Sequence, residues 1–557
     1  MDKYRNSLFW VKTTSISILC FTIYITFKRL YYGVDLTDEA FYSGIPYEFY
    51  LGKAPFTGEL NILQFPSFLL YPIFKMFFIL NDGTDSVILF NRFLFFVFFI
   101  MVSIVIFIVL KRGIPYYSAF LIAFSCLVFI PNNIPALSYN TLGYGLFTVS
   151  LFLVYYSLSL NNRKNTIFFI AGITFGFSVI SYPTIIIPYL MYSILLFTTL
   201  IKTDSLKRWF LFLLGSMLAA SPIFLVLVKS GIEDISYFIQ NINYVGAQGG
   251  DLQKIFNELL NWYSLFPNKI LALLVVILVT FLNYKKSDLY SWSLLLLPIL
   301  AYDYSAKLDI QQSLKFINNY IVFFPLLFLL HFRDKVVRKL FILIFIPSLF
   351  AGLTFIWSSS NGFYAAGLGF FPASLALSYI IVHLIHNRKT AIQSKQWLSI
   401  LLPSIIIVLL IFMQNSVYRD EPIKELTAKV EFGPYKGLYT TKEKRDFLQT
   451  FSTDILSFSK HKSIFFYSHI PGGYLFSTSK PAGNTLWVFT YTKDFSVYSD
   501  YFYDYPKPEV VFRMKFMIAE DFLPITYQKD NVLNQFINNQ YNIIHSNQYY
   551  DVLIENK

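Results

Sequence analysis

The chain reads as an α-helical polytopic membrane protein of about thirteen spans followed by a small α/β domain, on three grounds. Of its 557 residues 55% are hydrophobic and 14% charged, too little polar surface to coat so large an apolar bulk in water. The apolar residues gather into runs of bilayer-spanning length, with the basic residues in small groups between them. After Gln414 the pattern turns polar and alternating, and the roughly 140 residues that follow are enough for one small domain. The predicted division is therefore 1–414 for the membrane part and 415–557 for the terminal domain. The net charge of +12 is a topology signal, not a nucleic-acid surface, because no single basic patch forms.

Taken in order, the start MDKYRNSLFWVKTT is basic, and the run after it lacks a small-residue cleavage site and ends in ITFKRLYY, as a retained signal anchor would. Spans are expected at 9–28, 87–110, 114–131, 142–161, 166–182, 184–201, 209–229, 269–284, 288–303, 316–332, 338–357, 363–386 and 397–414. With the N-terminus cytoplasmic, Lys3, Arg5 and Lys12, then Lys111 and Arg112, and later Arg333, Lys335, Arg338 and Lys339 fall on inner loops, leaving fewer basic residues outside. The segment QFPSFLLYPIFKMFFIL, 64–80, is also apolar, but if it crossed, every later basic loop would change sides. Its Pro66, Pro72 and Lys75 suit a broken helix in the outer interface, so 31–86 becomes one long outer loop. In the terminal domain, KSIFFYSH, PEVVFRMKF and YNIIHSNQYYDVLI read as strands, and TKEKRDFLQTFSTDILSF and DNVLNQFINNQ as amphipathic helices. Cys20 and Cys126 lie inside apolar runs, which argues against a disulfide or a zinc site.

The outer loop opens with VDLTDEAFYSG, Val34 to Gly44, where Asp38 and Glu39 stand side by side among aromatic residues. A carboxylate at a membrane surface can deprotonate a hydroxyl beside a lipid headgroup. The plainer alternative is that Asp38 caps a helix beginning near Glu39. Arg92 lies about five residues into its span, roughly 8 Å deep at 1.5 Å per residue. An arginine there suits a lipid phosphate held bidentately, and equally suits snorkelling or a structural pair with Asp38 or Glu39.

DEAFY after the first span, the interfacial segment at 64–80 and Arg92 in the next span together resemble the start of GT-C glycosyltransferases, nearest to bacterial protein O-mannosyltransferase and aminoarabinose transferase-like enzymes. The likeness takes in the order of elements over roughly 10–330 and the outer terminal domain. It implies a GT-C-like fold and transfer of a sugar, hexosyl or pentosyl, from a polyprenyl-phosphate-linked donor to an acceptor hydroxyl on a lipid, glycan or protein. It also implies a multi-pass protein of the bacterial inner membrane that acts on the extracytoplasmic face. The first acid of the family's D-E-x-x-Y motif, the proposed base, falls on Asp38, with Glu39 beside it and Tyr42 completing the pattern. Gln64 stands where relatives often carry a charged residue, Asn140 replaces an acid common at the fourth span, and Asn319-Tyr320 replaces an Arg-Tyr pair. These departures weaken the case for a metal, and no cofactor is expected.

Tyr139 and Asn140, in LSYNTLGYG, are candidates to bind a sugar hydroxyl, although Asn before a helix is commonly a cap. GAQGGDLQKIFNELLNWYSLFP joins a Gly-rich hinge to an amphipathic helix and reads either as a substrate lid or as an interfacial connector. The six histidines fall away from the expected site, which argues against a His-based triad. Two other functions fit a polytopic chain: a lipid-linked glycan polymerase or ligase, and a transporter or flippase. Against the last stand the scarcity of ionisable residues at span centres and the lack of an inverted repeat.

Overall fold

The computed structural model describes residues 2–556 except 160–164, 202–204, 243–249, 265–273, 275–286, 303–308, 388–391, 459, 489–494 and 519–521. Among the described residues ten helices are long and apolar enough to cross a bilayer, joined by three shorter apolar helices at Tyr116–Val128, Asn165–Ser181 and Tyr290–Ala301. The first ten helices in chain order are α1 (Asp2–Arg29), α2 (Asp38–Tyr50), α3 (Phe65–Leu80), α4 (Val87–Leu110), α5 (Tyr116–Val128), α6 (Tyr139–Ser159), α7 (Asn165–Ser181), α8 (Ile186–Ile201), α9 (Leu206–Asn241) and α10 (Leu252–Ser264). Helices at Ser287–Ala301, Gln312–Tyr320, Phe323–Leu330, Lys335–Leu340 (which continues through Phe341–Phe345 into Ile346–Ser358), Ala366–Asn387 and Ile392–Met413 complete the bundle among the described residues. The span expected at 269–284 lies outside the described residues apart from Leu274.

Two spans differ from expectation for local reasons. The stretch 316–332 is built as two helices, Gln312–Tyr320 and Phe323–Leu330. Helix α9 does not stop near 229: it turns at Gly231, whose φ of 84° only glycine adopts readily, and runs on to Asn241. That extension carries Phe238 to Phe56 and Phe65, with ring centroids 5.3 and 6.3 Å away.

The C-terminal unit is a five-stranded sheet in the order β4-β3-β5-β9-β8: β3 (Ser463–Tyr467), β4 (Lys480–Pro481), β5 (Val510–Met514), β8 (Tyr541–Ser546) and β9 (Tyr550–Glu555). Two short ladders flank it, β1 (Ala428–Lys429) with β2 (Tyr439–Thr440) and β6 (Phe516–Met517) with β7 (Leu523–Pro524). β3 runs parallel to β4 and β5, whereas β9 runs antiparallel to β5 and β8. Alternation along β3 sends Phe466 to one face, against Phe451 of helix Lys442–Ser457 at 5.8 Å, and Phe465 to the other, against Phe502 at 5.4 Å. The sheet is thus covered on both faces, as parallel pairing favours.

This unit sits on the 31–86 segment. Gly33 N–H donates to Tyr439 O, Tyr439 N–H to Tyr31 O and Gly472 N–H to Leu36 O. Helix α3 is held at both ends by the same unit. Leu60 N–H donates to Asn484 O before it, and Thr84 Oγ1 donates to Leu475 O and Ser86 N–H to Gly433 O after it. A helix of that length crossing a bilayer would carry its ends about 24 Å apart in depth. Both ends of α3 meet the C-terminal unit, and along its length Phe74 and Phe78 are buried and Met76 and Ile79 exposed.

Candidate active site

The turn before α2 places three acids within five residues and gives each a different surrounding. Asp35, two residues ahead of the N-cap Thr37, supplies the acceptor for the first turn: its Oδ1 accepts from Thr37 N–H at 2.9 Å and Thr37 Oγ1 at 2.5 Å, and its Oδ2 accepts from Glu39 N–H at 2.8 Å. Asp38 is therefore not the cap, and its side chain turns outward. It is 22% exposed, whereas Asp35 and Glu39 are buried. Tyr418 donates its hydroxyl to Asp38 Oδ2 at 2.5 Å, and Arg419 Nη1 lies 3.9 Å from the same oxygen. Burial raises the Asp38 carboxyl to about 6, with the charge of Asp35 adding to the rise and Arg419 and Tyr418 opposing it.

Arg419 bridges the last span to this turn. Its Nη1 donates to Thr37 Oγ1 at 2.5 Å, and its guanidinium stands over Tyr418 and Trp487, 5.1 and 6.0 Å from the ring centroids. Its backbone is left-handed, φ 51°, which aims the side chain back from the Tyr418–Asp420 turn. Asp420 fixes that turn, accepting from Val34 N–H at 2.8 Å and Thr440 Oγ1 at 2.7 Å and pairing with Lys444 at 3.1 Å.

Of the residues expected from the sequence, Tyr42 and Tyr139 come together, edge to face at 5.8 Å, and bring the half-buried Asn140 at the start of α6 alongside. Tyr139 leans in turn on Tyr182 at 5.4 Å. The Tyr42 hydroxyl is pushed well above its ordinary value by burial first, then by Tyr139 and Asp38. It stays protonated and can only donate or accept as a phenol.

Three expectations are corrected. Arg92 has no donor left for a phosphate. Nε and Nη2 meet Glu39 Oε1 and Oε2 at 2.6 and 2.5 Å, Nη1 donates to Leu30 O and Tyr32 O, and Nη2 also donates to Gly33 O. All five N–H groups are engaged, so Arg92 and Glu39 form a buried strut that ties α4 to the end of α1 and the start of α2. Gln64 is fully buried and cannot meet a substrate, because its amide accepts from Phe56 N–H at 3.1 Å and donates to Glu59 O at 2.6 Å to shape the turn before α3. His469 is not remote: its ring stands 6.1 Å from Trp487, and burial followed by the charge of Arg419 lowers it to about 4, so it is neutral at physiological pH.

Asn319 and Tyr320 sit inside the bundle, donating to Ala301 O and sharing a hydrogen bond with Ser378. The described part of the expected lid, α10, is docked by Lys254 Nζ on Ser359 O at 2.9 Å, by Glu258 accepting from Phe363 N–H, and by Trp262 on Phe363. Among the described residues no three of His, Cys, Asp and Glu converge to hold a metal.

Compared with known proteins, the chain matches no family model, and no curated protein matches it. Solved structures do resemble it in overall course. The archaeal oligosaccharyltransferase AglB of Archaeoglobus fulgidus, solved with an inhibitory peptide and a dolichol-phosphate, aligns with a TM-score of 0.47 and 13% identity over 91% of this chain and 71% of that one. A second structure of the Archaeoglobus fulgidus oligosaccharyltransferase, tethered to an acceptor peptide through a disulfide, gives 0.47 and 12% over 98% and 74%. At such scores nothing about the site is carried over from them.

Asp35, Tyr418, Arg419 and Trp487 escaped the sequence reading. Asp35 was legible as the other acid of DLTDE, three residues ahead of Asp38. The other three come from far along the chain: the charged cluster YRDE after the last span hinted at Tyr418 and Arg419, and nothing pointed to Trp487.

Proposed function

We propose that the chain is a membrane glycosyltransferase that moves a sugar from a polyprenyl-phosphate-linked donor to an acceptor hydroxyl on the extracytoplasmic face. The observation that carries this reading is the outward-turned Asp38 carboxylate, freed from capping by Asp35 and set beside a cation and a ring of tyrosines. Asp38 takes the acceptor proton as the hydroxyl oxygen bonds to the anomeric carbon and the bond to the donor phosphate breaks. The departing polyprenyl phosphate is a stable anion and needs stabilisation of charge more than a proton. Arg419, not Arg92, supplies that charge, standing 3.9 Å from Asp38 on the side of Trp487. Tyr42, Tyr139 and Asn140 form the polar wall that orients sugar or acceptor. The acceptor class, lipid, glycan or protein, follows from whatever the C-terminal unit presents to this opening.

The test is release of polyprenyl phosphate from a labelled polyprenyl-phosphate sugar by the purified protein. Asp38→Asn should lower turnover by a factor of about 10² or more, and Arg419→Ala should weaken donor use more than it changes folding. Full turnover in Asp38→Asn refutes the base assignment. Movement of intact labelled lipid without release would make the chain a transporter, and a requirement for a pyrophosphate-linked chain would make it a polymerase or ligase.

A further inference from the structure

At the end of the bundle opposite Asp38 there is a cavity of about 620 Å³. Leu8 near the start of α1 contributes to it, whereas Asp38 follows the far end of α1, about 30 Å away along the helix axis. The α4–α5 turn, the end of helix Ala366–Asn387 and the start of helix Ile392–Met413 supply the rest of the wall. Among the described lining residues three are basic types, Arg112, His386 and Lys395, and none is acidic. The remainder is apolar or neutral: Ile114 is buried and Leu8 half-buried, giving the cavity an apolar wall, while Arg112 and His386 are exposed at its edge.

The construction is deliberate on both sides. Lys395 Nζ donates to His386 O at 3.2 Å, which joins the two helix ends across the opening, and Gln396 accepts from Ser7 Oγ at 3.2 Å, which closes α1 onto the same corner. Gly113 lets the α4–α5 turn approach this closely, since a Cβ there would fall on the Tyr379 hydroxyl, 1.7 Å from its oxygen. Arg112 is exposed at the rim.

Two tryptophans fix the level of the cavity relative to a bilayer. Trp10 and Trp397 are 58% and 43% exposed on the outside of the bundle, in the same turns as Lys12 and Lys395. Exposed tryptophan beside lysine marks the headgroup layer. A pocket of this size, apolar below, basic above and open at headgroup depth, matches the polar part of an anionic phospholipid better than a soluble anion, which has no use for the apolar wall.

We propose that this cavity binds the phosphate headgroup of an anionic membrane phospholipid, with Arg112 and Lys395 as its cationic contacts. The site is independent of the glycosyl-transfer reading, being at the other end of the molecule and sharing no residue with it.

The experiment titrates the full-length protein in neutral detergent with phosphatidylglycerol, phosphatidylcholine or inorganic phosphate, bound lipid being counted by native mass spectrometry. Phosphatidylglycerol should be retained in preference to phosphatidylcholine. Arg112→Gln, a change at an exposed position that leaves folding intact, should weaken its retention about fivefold, and Arg112→Gln with Lys395→Gln roughly twenty- to thirtyfold, from one headgroup-level charge each. Arg112→Lys should restore most of the loss. Undiminished phosphatidylglycerol retention in Arg112→Gln and in the double variant overturns the proposal. So does competition by inorganic phosphate as strong as that by the lipid, which would make this a soluble-phosphate site.

Discussion

At the scale of single residues, three neighbouring acids are separated by what each one touches. Asp35 receives backbone and hydroxyl donors, Glu39 receives a guanidinium, and Asp38 alone keeps an accessible carboxylate. A base raised to about 6 is unprotonated only above that value, so turnover should rise as pH passes upward through about 6 and then level off. A pH–rate profile checks this, and an unchanged acid limb in Asp38→Asn would assign the titration to another group. Arg92 gives the opposite kind of prediction. Removing one partner of a buried pair leaves the other charge stranded, so Arg92→Ala should cost about 3–5 kcal/mol and lower the melting temperature in detergent without any lipid present. Adding Glu39→Gln to Arg92→Ala should recover part of the loss, and full stability in Arg92→Ala would show that the strut carries nothing. The sequence made the Asp38 motif and the depth of Arg92 legible. It left open which acid Arg92 would meet, because the choice depends on where α2 turns relative to α4, and that turn is set by Asp35.

At the scale of elements, α2 is the hinge of the design, with its first turn in the site and its last in the contact with the C-terminal unit. Glu48, near its end, is buried with neither carboxylate oxygen hydrogen-bonded. Burial, then the neighbouring Glu59, hold Glu48 well above the ordinary carboxylate range against the pull of Lys53. Burial likewise raises Glu59 to about 7, although it accepts from Leu486 N–H and Asn61 N–H. Lys53, pushed down to about 8 by burial, donates to Gly483 O at 2.6 Å, and Tyr474 and Tyr501 complete the surroundings. The folded chain holds these carboxyl protons to higher pH than the unfolded chain does. The stability these two carboxyls contribute is therefore fully present below the ordinary carboxylate range and is lost as pH rises toward and past neutrality. Glu48→Gln, which is neutral at every pH, should leave the melting temperature nearly unchanged at pH 5 and raise it at pH 8, by about 1–2 kcal/mol in stability. Equal effects at both pH values would show that the folded chain holds the Glu48 proton no more tightly than the unfolded chain does. None of this was visible in the sequence, where Glu48, Lys53 and Glu59 look like ordinary loop charges until the C-terminal unit covers them.

At the scale of the whole molecule, the main strands of the terminal sheet and two of its covering helices were legible from alternation and amphipathic pattern, Thr441 and Asn531 accepting from backbone N–H groups where those helices begin, whereas the helix Ser496–Asp504 that brings Phe502 to the sheet was not. Of the thirteen expected spans nine fall on helices long and apolar enough to cross and three on shorter apolar helices, and the one at 269–284 lies outside the described residues apart from Leu274. Helix α3 is itself long and apolar enough to cross, and the expectation that it does not rests on charge balance. What periodicity cannot convey is that residues near 35 and near 419 share one site, because that contact is made by tertiary docking across nearly the whole chain. The same docking yields the last prediction. If 31–86 and the C-terminal unit share one side of the membrane and the α4–α5 turn the other, single cysteines will sort accordingly. Cys20 and Cys126 are first replaced by serine, since both are free thiols. Cysteines at Asp82, Tyr503 and Lys111 are then suitable reporters, all three positions being exposed. A membrane-impermeant maleimide applied to intact cells should label Asp82→Cys and Tyr503→Cys and spare Lys111→Cys until the membrane is opened. Labelling of Asp82→Cys and Tyr503→Cys from opposite sides would mean that α3 crosses after all. Labelling of Lys111→Cys alone in intact cells would keep the architecture and invert it, placing Asp38 on the cytoplasmic side.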